Sequence, residues 1–357
     1  MYIAISILIF GLLIAIHEFG HYIAAKSFGV GVPEFAIGMG PKLFKWQGKE
    51  TLYTLRAIPL GGFCAMDGDD TEEAGDKSLY AKPIWQRLII FLAGSFMNVV
   101  AGFVILLVLF SSVPVLGTTT VSEFVPGFPL EGENGFQVGD SFHRIGGHRV
   151  YQQGNIPLLL NLELEAGGTV DVVVIRDGER VTLSNLPLER RVFTEGEPPI
   201  YGFIFALNRE PTGMDRLAYT WAVTRDFMRQ LPLTLRMFTT GQAGMEDVSS
   251  VVGIVDTMNQ VGTQAETVAL AMWNFAFIAA LISISVAMFN LLPIPALDGG
   301  RIFLMLIGWV VEKIFRRKLD PKYEAHINTA GFMLLIGLMI FIMYQDIVRI
   351  AARALGA

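Results

Sequence analysis

The residues best placed to do chemistry lie in "LIAIHEFGHYIAA", Leu13 to Ala25. His17 and His21 are four residues apart, so on a helix they share one face and can reach one ion. Neutral imidazoles at this spacing suit zinc. Glu18 lies one step round the helix, near such an ion but not necessarily on it. A carboxylate there can take a proton from an attacking water and later give it to a leaving amine. The stretch is otherwise apolar apart from Tyr22. Ionisable groups inside an apolar span are expensive unless paired or liganded. The competing use of these groups, lining an ion pathway, would want a continuous polar track.

A catalytic zinc takes three protein ligands and leaves one position open. The candidate third ligand is Asp298 in "NLLPIPALDGGR", residues 290–301. Pro293 and Pro295 remove backbone donors and disfavour helix in the residues before them, so the chain should unwind near Leu292. Irregular backbone at membrane depth is tolerated only where protein or a watery cavity surrounds it. Gly299 and Gly300 permit a sharp turn. The plainer reading of Asp298, a cap for the next helix, is compatible with ligation.

The elements that must hold these residues follow from composition. The chain has 357 residues, 52% hydrophobic and 17% charged, with a mean hydropathy of +0.50. That is too apolar for an ordinary soluble protein. The net charge of −6 argues against a nucleic-acid partner. A single cysteine, Cys64, rules out an intrachain disulfide and reads as a small buried residue. Crossing about 30 Å of hydrocarbon takes roughly 20 residues. Segments at about 2–25, 88–113, 268–292 and 329–347 are long and apolar enough. The first lacks a basic flank and outruns the apolar core of a signal peptide, so it reads as a retained span. Segment 302–315 reads as a buried or interfacial helix.

Loop 26–87 carries eight Lys/Arg and loop 300–328 carries six, which places both on the cytoplasmic side, with both termini and the middle of the chain outside. Within 30–65, β-prone runs flank a "QGK" turn and read as a membrane-associated hairpin or sheet. Residues 67–76 read as an acidic, solvated loop. Residues 114–192 read as an inserted, β-rich, PDZ-like domain, with Asp177-Gly178 closing a hairpin; such domains bind peptides as an added strand. His143 and His148 within it read as surface histidines. Residues 193–266 form a connector in which 214–238 is an amphipathic helix, lying on the membrane or packed on the domain. The units expected are therefore 1–113, 114–192, 193–266 and 267–357: a polytopic α-helical membrane protein of four spans with a sheet and a PDZ-like insert. In the second span, Gly94, Ser95, Ala101 and Gly102 around Asn98 suit close helix packing beside the metal site.

HExxH in the first span, Gly38-Met39-Gly40-Pro41, "GSFMN" in the second span, the PDZ-like insert and "NxxPxPxLDGG" together resemble the site-2 protease family. The closer resemblance is to the bacterial regulator-of-sigma-E type with a single PDZ domain, and it covers essentially the whole chain. It implies a zinc metalloprotease that cuts transmembrane segments inside the bacterial inner membrane, as the second step of regulated intramembrane proteolysis. Implied substrates are single-span proteins already trimmed outside, such as anti-sigma factors, and signal-peptide remnants. His17, His21 and Asp298 match the family's zinc ligands, Glu18 its catalytic glutamate and Asn290 a substrate-binding residue. Two other readings compete. A zinc or cation transporter would favour repeated halves, and none is visible. A non-catalytic membrane PDZ scaffold would need neither Glu18 nor Asp298.

Overall fold

The computed structural model describes residues 1–68, 75–164, 168–315 and 321–354. Most of the acidic stretch expected as a solvated loop, residues 69–74, lies outside the described residues. Among the described residues four helices are long and apolar enough to cross a membrane: α1 (Tyr2–Ser27), α2 (Ile84–Ser111), α6 (Val268–Asn290) and the His326–Arg353 part of α8 (Pro321–Ala354). They coincide with the four spans expected. The chain divides into two compact units, one of residues 1–106 and 243–357 and one of residues 107–242.

In the first unit, α1 is followed by β1 (Glu34–Gln47) and β2 (Leu52–Ala65). The expected hairpin is present: Phe44, Lys45, Trp46 and Gln47 pair antiparallel with Leu55, Thr54, Tyr53 and Leu52. Each strand also bends, so its two ends pair separately. Residues 34–37 run parallel to 52–55 on one side and antiparallel to 62–65 on the other. The result is a small sheet with residues 62–65 at one margin. Within this sheet Glu34 accepts from Arg56, Lys42 and Thr54. Its neighbours Val30, Val32 and Phe35 pack on α1 and on Ile90 and Phe91 of α2. Cys64 is buried there, as a small packing residue should be.

Helices α5 (Val251–Gln264) and α6 close the other side of α1, joining Phe10 and Leu13 to Met258, Phe275 and Ile282. The Asp346 carboxylate of α8, 2% exposed, accepts from both the backbone N–H and the hydroxyl of Ser250, at 2.6 Å each. An acid at the start of a helix satisfies orphan donors and meets the positive end of its dipole.

The second unit is built on an antiparallel sheet in the order β7-β6-β4-β3-β8. These are β3 (Leu116–Phe124), β4 (Ser141–Ile145), β6 (Val170–Arg176), β7 (Glu179–Leu186) and β8 (Phe203–Asn208), with the short β5 (His148–Arg149) beside β4. Helix α3 (Ile156–Leu164) covers a core centred on Phe136, Phe142, Ile145, Val172 and Leu160. The β6–β7 turn at Asp177 and Gly178 has φ of 51° and 85°, the left-handed pair a two-residue hairpin wants. Helix α4 (Gly213–Thr240) matches the amphipathic helix expected over 214–238; Thr212 and Asp215 start it with a reciprocal capping box.

Candidate metal centre

Helix α1 carries His17 and His21 on one face, as the spacing requires. Both are buried, at 7% and 5% exposure. The imidazoles meet edge to face, with Nε2 atoms 3.2 Å apart. Opposite them stands Asp298. Helix α6 stops at Asn290, residues 291–297 form turns, and α7 (Asp298–Phe315) begins with the aspartate itself. The unwinding expected from the two prolines is therefore present, and Asp298 is both the opening residue of a helix and a member of the site. The two glycines serve less as a turn than as clearance. A Cβ on Gly299 would lie 2.3 Å from the Leu291 carbonyl oxygen, and one on Gly300 2.1 Å from that of Ile294. Only bare backbone lets the loop fold onto the first turn of α7 and swing Asp298 towards α1.

Asp298 Oδ2 lies 3.1 Å from His17 Nε2 and 3.2 Å from His21 Nε2. His21 Nδ1 is 2.8 Å from the Ile90 carbonyl oxygen, an acceptor only, so Nδ1 carries a proton and in the neutral ring Nε2 presents its lone pair. Three acceptor atoms then converge in a triangle with sides of 3.1 to 3.2 Å. Asp298 Oδ2 is buried with no hydrogen-bond donor among the described residues. Converging lone pairs repel unless a cation sits among them. Zinc at its usual bond lengths of about 2.0–2.1 Å holds tetrahedral ligands roughly 3.3 Å apart. The donor set and its spacing therefore fit zinc. No other group of three metal-ligating residues occurs among the described residues, so His143 and His148 build no such site.

Helix α2 supports the centre. A Cβ on Gly94 would stand 2.3 Å from His21 Nε2 and 2.8 Å from His17 Cε1, so the histidines lie directly on that glycine. Asn98 is fully buried and its amide is 3.4 Å from His17 Nδ1. A histidine ligating through Nε2 carries its proton on Nδ1. The amide orientation that fits turns Oδ1 towards that proton, which also gives the otherwise partnerless Oδ1 a donor. Ser283 of α6 donates to the Asn98 carbonyl oxygen at 2.8 Å, fixing this part of α2. Sequence reasoning had placed α2 beside the metal without assigning Asn98 to a particular histidine.

Glu18 borders the triangle. Its carboxylate feels the charges of His17, His21 and Asp298 and accepts from the backbone N–H of Cys64, on the 62–65 margin of the sheet. Gly62 on the same stretch is so close that a Cβ would lie 3.4 Å from Glu18 Cγ. Asn290, the last residue of α6, has its amide nitrogen 3.3 Å from His17 Nε2. The structure thus gathers all five sequence-derived residues in one place. The edge expected of the 30–65 hairpin falls at residues 62–65, beside Glu18.

Four apolar helices long enough to span a membrane and a buried cluster of two histidines and an aspartate with zinc-like spacing fit the class of membrane zinc metalloproteases. The chain belongs to peptidase family M50, the site-2 proteases, whose family model matches residues 5–338. A protein of Clostridium perfringens named among the zinc metalloproteases is 37% identical over 349 residues, covering 98% of this chain and 99% of the relative. The zinc metalloprotease RasP of Oceanobacillus iheyensis is 30% identical, covering 96% of this chain and 98% of its own. The regulator of sigma-W protease RasP of Bacillus subtilis is 28% identical, covering 96% and 97%.

Proposed function

We propose that this metalloprotease cuts peptide bonds inside the transmembrane segments of single-span proteins already trimmed by another protease. Anti-sigma factors and signal-peptide remnants are the substrate classes we have in view. The observation that carries the reading is the placement of His17, His21 and Asp298 within the apolar helical framework, the histidines buried and the three groups mutually 3.1 to 3.2 Å apart.

In this reading His17, His21 and Asp298 hold zinc. Zinc, when bound, supplies Lewis acidity and makes hydroxide accessible near neutral pH. Glu18 accepts the proton of the attacking water as its oxygen bonds to the scissile carbonyl carbon. The same carboxyl then delivers the proton to the amine as the C–N bond breaks. Asn98 and the Ile90 carbonyl keep each Nε2 aimed at the metal. The substrate must arrive unwound, because a helical carbonyl is already hydrogen-bonded. Residues 62–65 supply a strand margin beside Glu18 on which an extended segment can pair, and Asn290 donates to its backbone.

We read the second unit, with its antiparallel sheet and short helix, as PDZ-like, so that a peptide would add as a strand at an edge of that sheet. We place it outside the cytoplasm and the metal centre towards the cytoplasmic side, because the Lys/Arg-rich loops flank the spans on that side. The domain division proposed remains 1–113, 114–192, 193–266 and 267–357.

Reconstituting the protein with a trimmed single-span test substrate and mapping the products by mass spectrometry tests this reading. A new terminus within the apolar span is expected. Cleavage confined to the soluble flank would overturn it.

A further inference from the structure

The second unit carries a concentration of arginine that the hydrolytic reaction does not use. Three guanidinium groups gather on the ring of Tyr151: Arg225 at 4.1 Å, Arg229 at 4.7 Å and Arg149 at 5.8 Å from its centroid. Arg229 also donates to the backbone carbonyl of Arg149. Next to them the His143 ring, on β4, feels Arg180, Arg149 and Arg144. Two pairs in the neighbourhood are internally neutral. Arg229 holds Asp226 at 2.6 Å, and Arg236 holds Glu163 at 2.8 Å. Arg144, Arg149, Arg180 and Arg225 have no carboxylate partner among the described residues. Four unmatched guanidinium groups in one neighbourhood repel one another unless an anion joins them.

The helix that brings Arg225 and Arg229 here also shows where the anion comes from. Arg216, in the first turns of α4, donates to the carbonyl oxygens of Phe110 and Val113, the latter at 2.7 Å. Tyr219 meets the Phe110 ring edge-on at 4.9 Å. The start of α4 is thereby clamped to the last turn of the membrane-spanning α2. From that clamp α4 presents Met214, Leu217 and Trp221, exposed by 72%, 42% and 49%. Arg225 follows one turn after Trp221, on the same side of the helix. An apolar stretch, then a tryptophan, then arginine, counted outwards from the end of a spanning helix, is the order in which a bilayer passes from hydrocarbon to headgroup.

We propose that Arg149 and Arg225, gathered round Tyr151 beside the Arg229–Asp226 pair, form a binding site for the headgroup phosphate of an anionic phospholipid, with Met214, Leu217 and Trp221 resting in the bilayer boundary beside it. The site fastens the second unit to the membrane surface. It uses charge-assisted hydrogen bonds to phosphate, for which the guanidinium fork is suited.

The full-length protein in detergent, titrated with short-chain phosphatidylglycerol, provides the test. Matched titrations use short-chain phosphatidylcholine, inorganic phosphate and an acidic peptide. Phosphatidylglycerol should bind more tightly than the other three. Each arginine at a lipid surface contributes about five-fold in affinity, so Arg149→Gln combined with Arg225→Gln should weaken binding about 30-fold. The double lysine variant, which keeps the charge but loses the fork, should fall between. Unaltered circular dichroism and thermal midpoint identify variants that remain folded. Equal binding of the two phospholipids overturns the proposal, as does undiminished binding by a folded double glutamine variant. Phosphate binding as tightly as the lipid would make this a free-anion site, and preference for the acidic peptide would make it a protein-docking surface. Either result overturns the lipid assignment.

Discussion

Asp298 Oδ2 stands 3.1 Å from His17 Nε2, joining the first residue of α7 to the middle of α1. Everything else in the centre serves that meeting: glycines that let the 291–295 backbone press onto α7, an α2 helix that backs both imidazoles, and a sheet margin that brings Cys64 to Glu18.

Gly94 has no room for a methyl group, since its Cβ would sit 2.3 Å from His21 Nε2. Gly94→Ala must displace His21 Nε2, one of the three proposed zinc ligand atoms. We expect a loss of about ten-fold or more in zinc affinity, read by competition with a chelating dye, while the spans remain helical by circular dichroism. Unchanged affinity would show that α2 can yield at that point.

Asn98→Ala removes the acceptor for the His17 Nδ1 proton. Loss of such a partner lowers metal affinity about 10–100-fold. Asn98→Asp keeps an acceptor oxygen and should retain more zinc than the alanine variant. If the two variants lose zinc equally, the amide acts by packing and not by orienting His17.

How much of this was legible in the sequence follows from range. The pair His17 and His21 could be read because four residues on one helix fix a common face. The break after α6 could be read because Pro293 and Pro295 act on their immediate neighbours. The partnership of Asn98 with His17, and of Cys64 with Glu18, depends on how separate elements stack, which no local pattern encodes. The sheet is an intermediate case. Its hairpin was visible in the "QGK" turn, but the bend that lets residues 34–37 pair with both 52–55 and 62–65 was not. Helix α5 was missed although a signal was present: Ser250 caps it, and Val251, Ile254, Val255 and Met258 recur at helical spacing.

Acid should loosen the sheet at a defined point. Burial of Glu34 raises its pKa, but hydrogen bonds from Arg56, Lys42 and Thr54 outweigh that and bring it down to about 2. A carboxylate with a depressed folded-state pKa stabilises fully above its ordinary value of 4.5, and that contribution fades as pH falls from there towards about 2. Hydrogen-exchange protection over residues 34–56, taken relative to the intrinsic exchange rate at each pH, should therefore fall below about pH 4.5 in the wild type. In Glu34→Gln protection should start lower and vary less with pH. Wild-type protection that stays constant over that window would contradict the ion-pair assignment.

The strand margin can be tested apart from the metal. Among proline substitutions across residues 62–65, those that keep their zinc should lose cleavage, because proline cannot donate to an incoming strand. Undiminished turnover in a zinc-loaded proline variant would remove strand pairing from the account.

The most direct test compares wild type with Glu18→Gln at matched zinc content, measuring cleavage of a trimmed single-span substrate. The account predicts that the wild type cuts within the span and that the variant, with zinc retained, is slower by at least about 100-fold. Equal rates at equal zinc would contradict it, since the carboxylate beside the metal would then move no proton in the rate-limiting step.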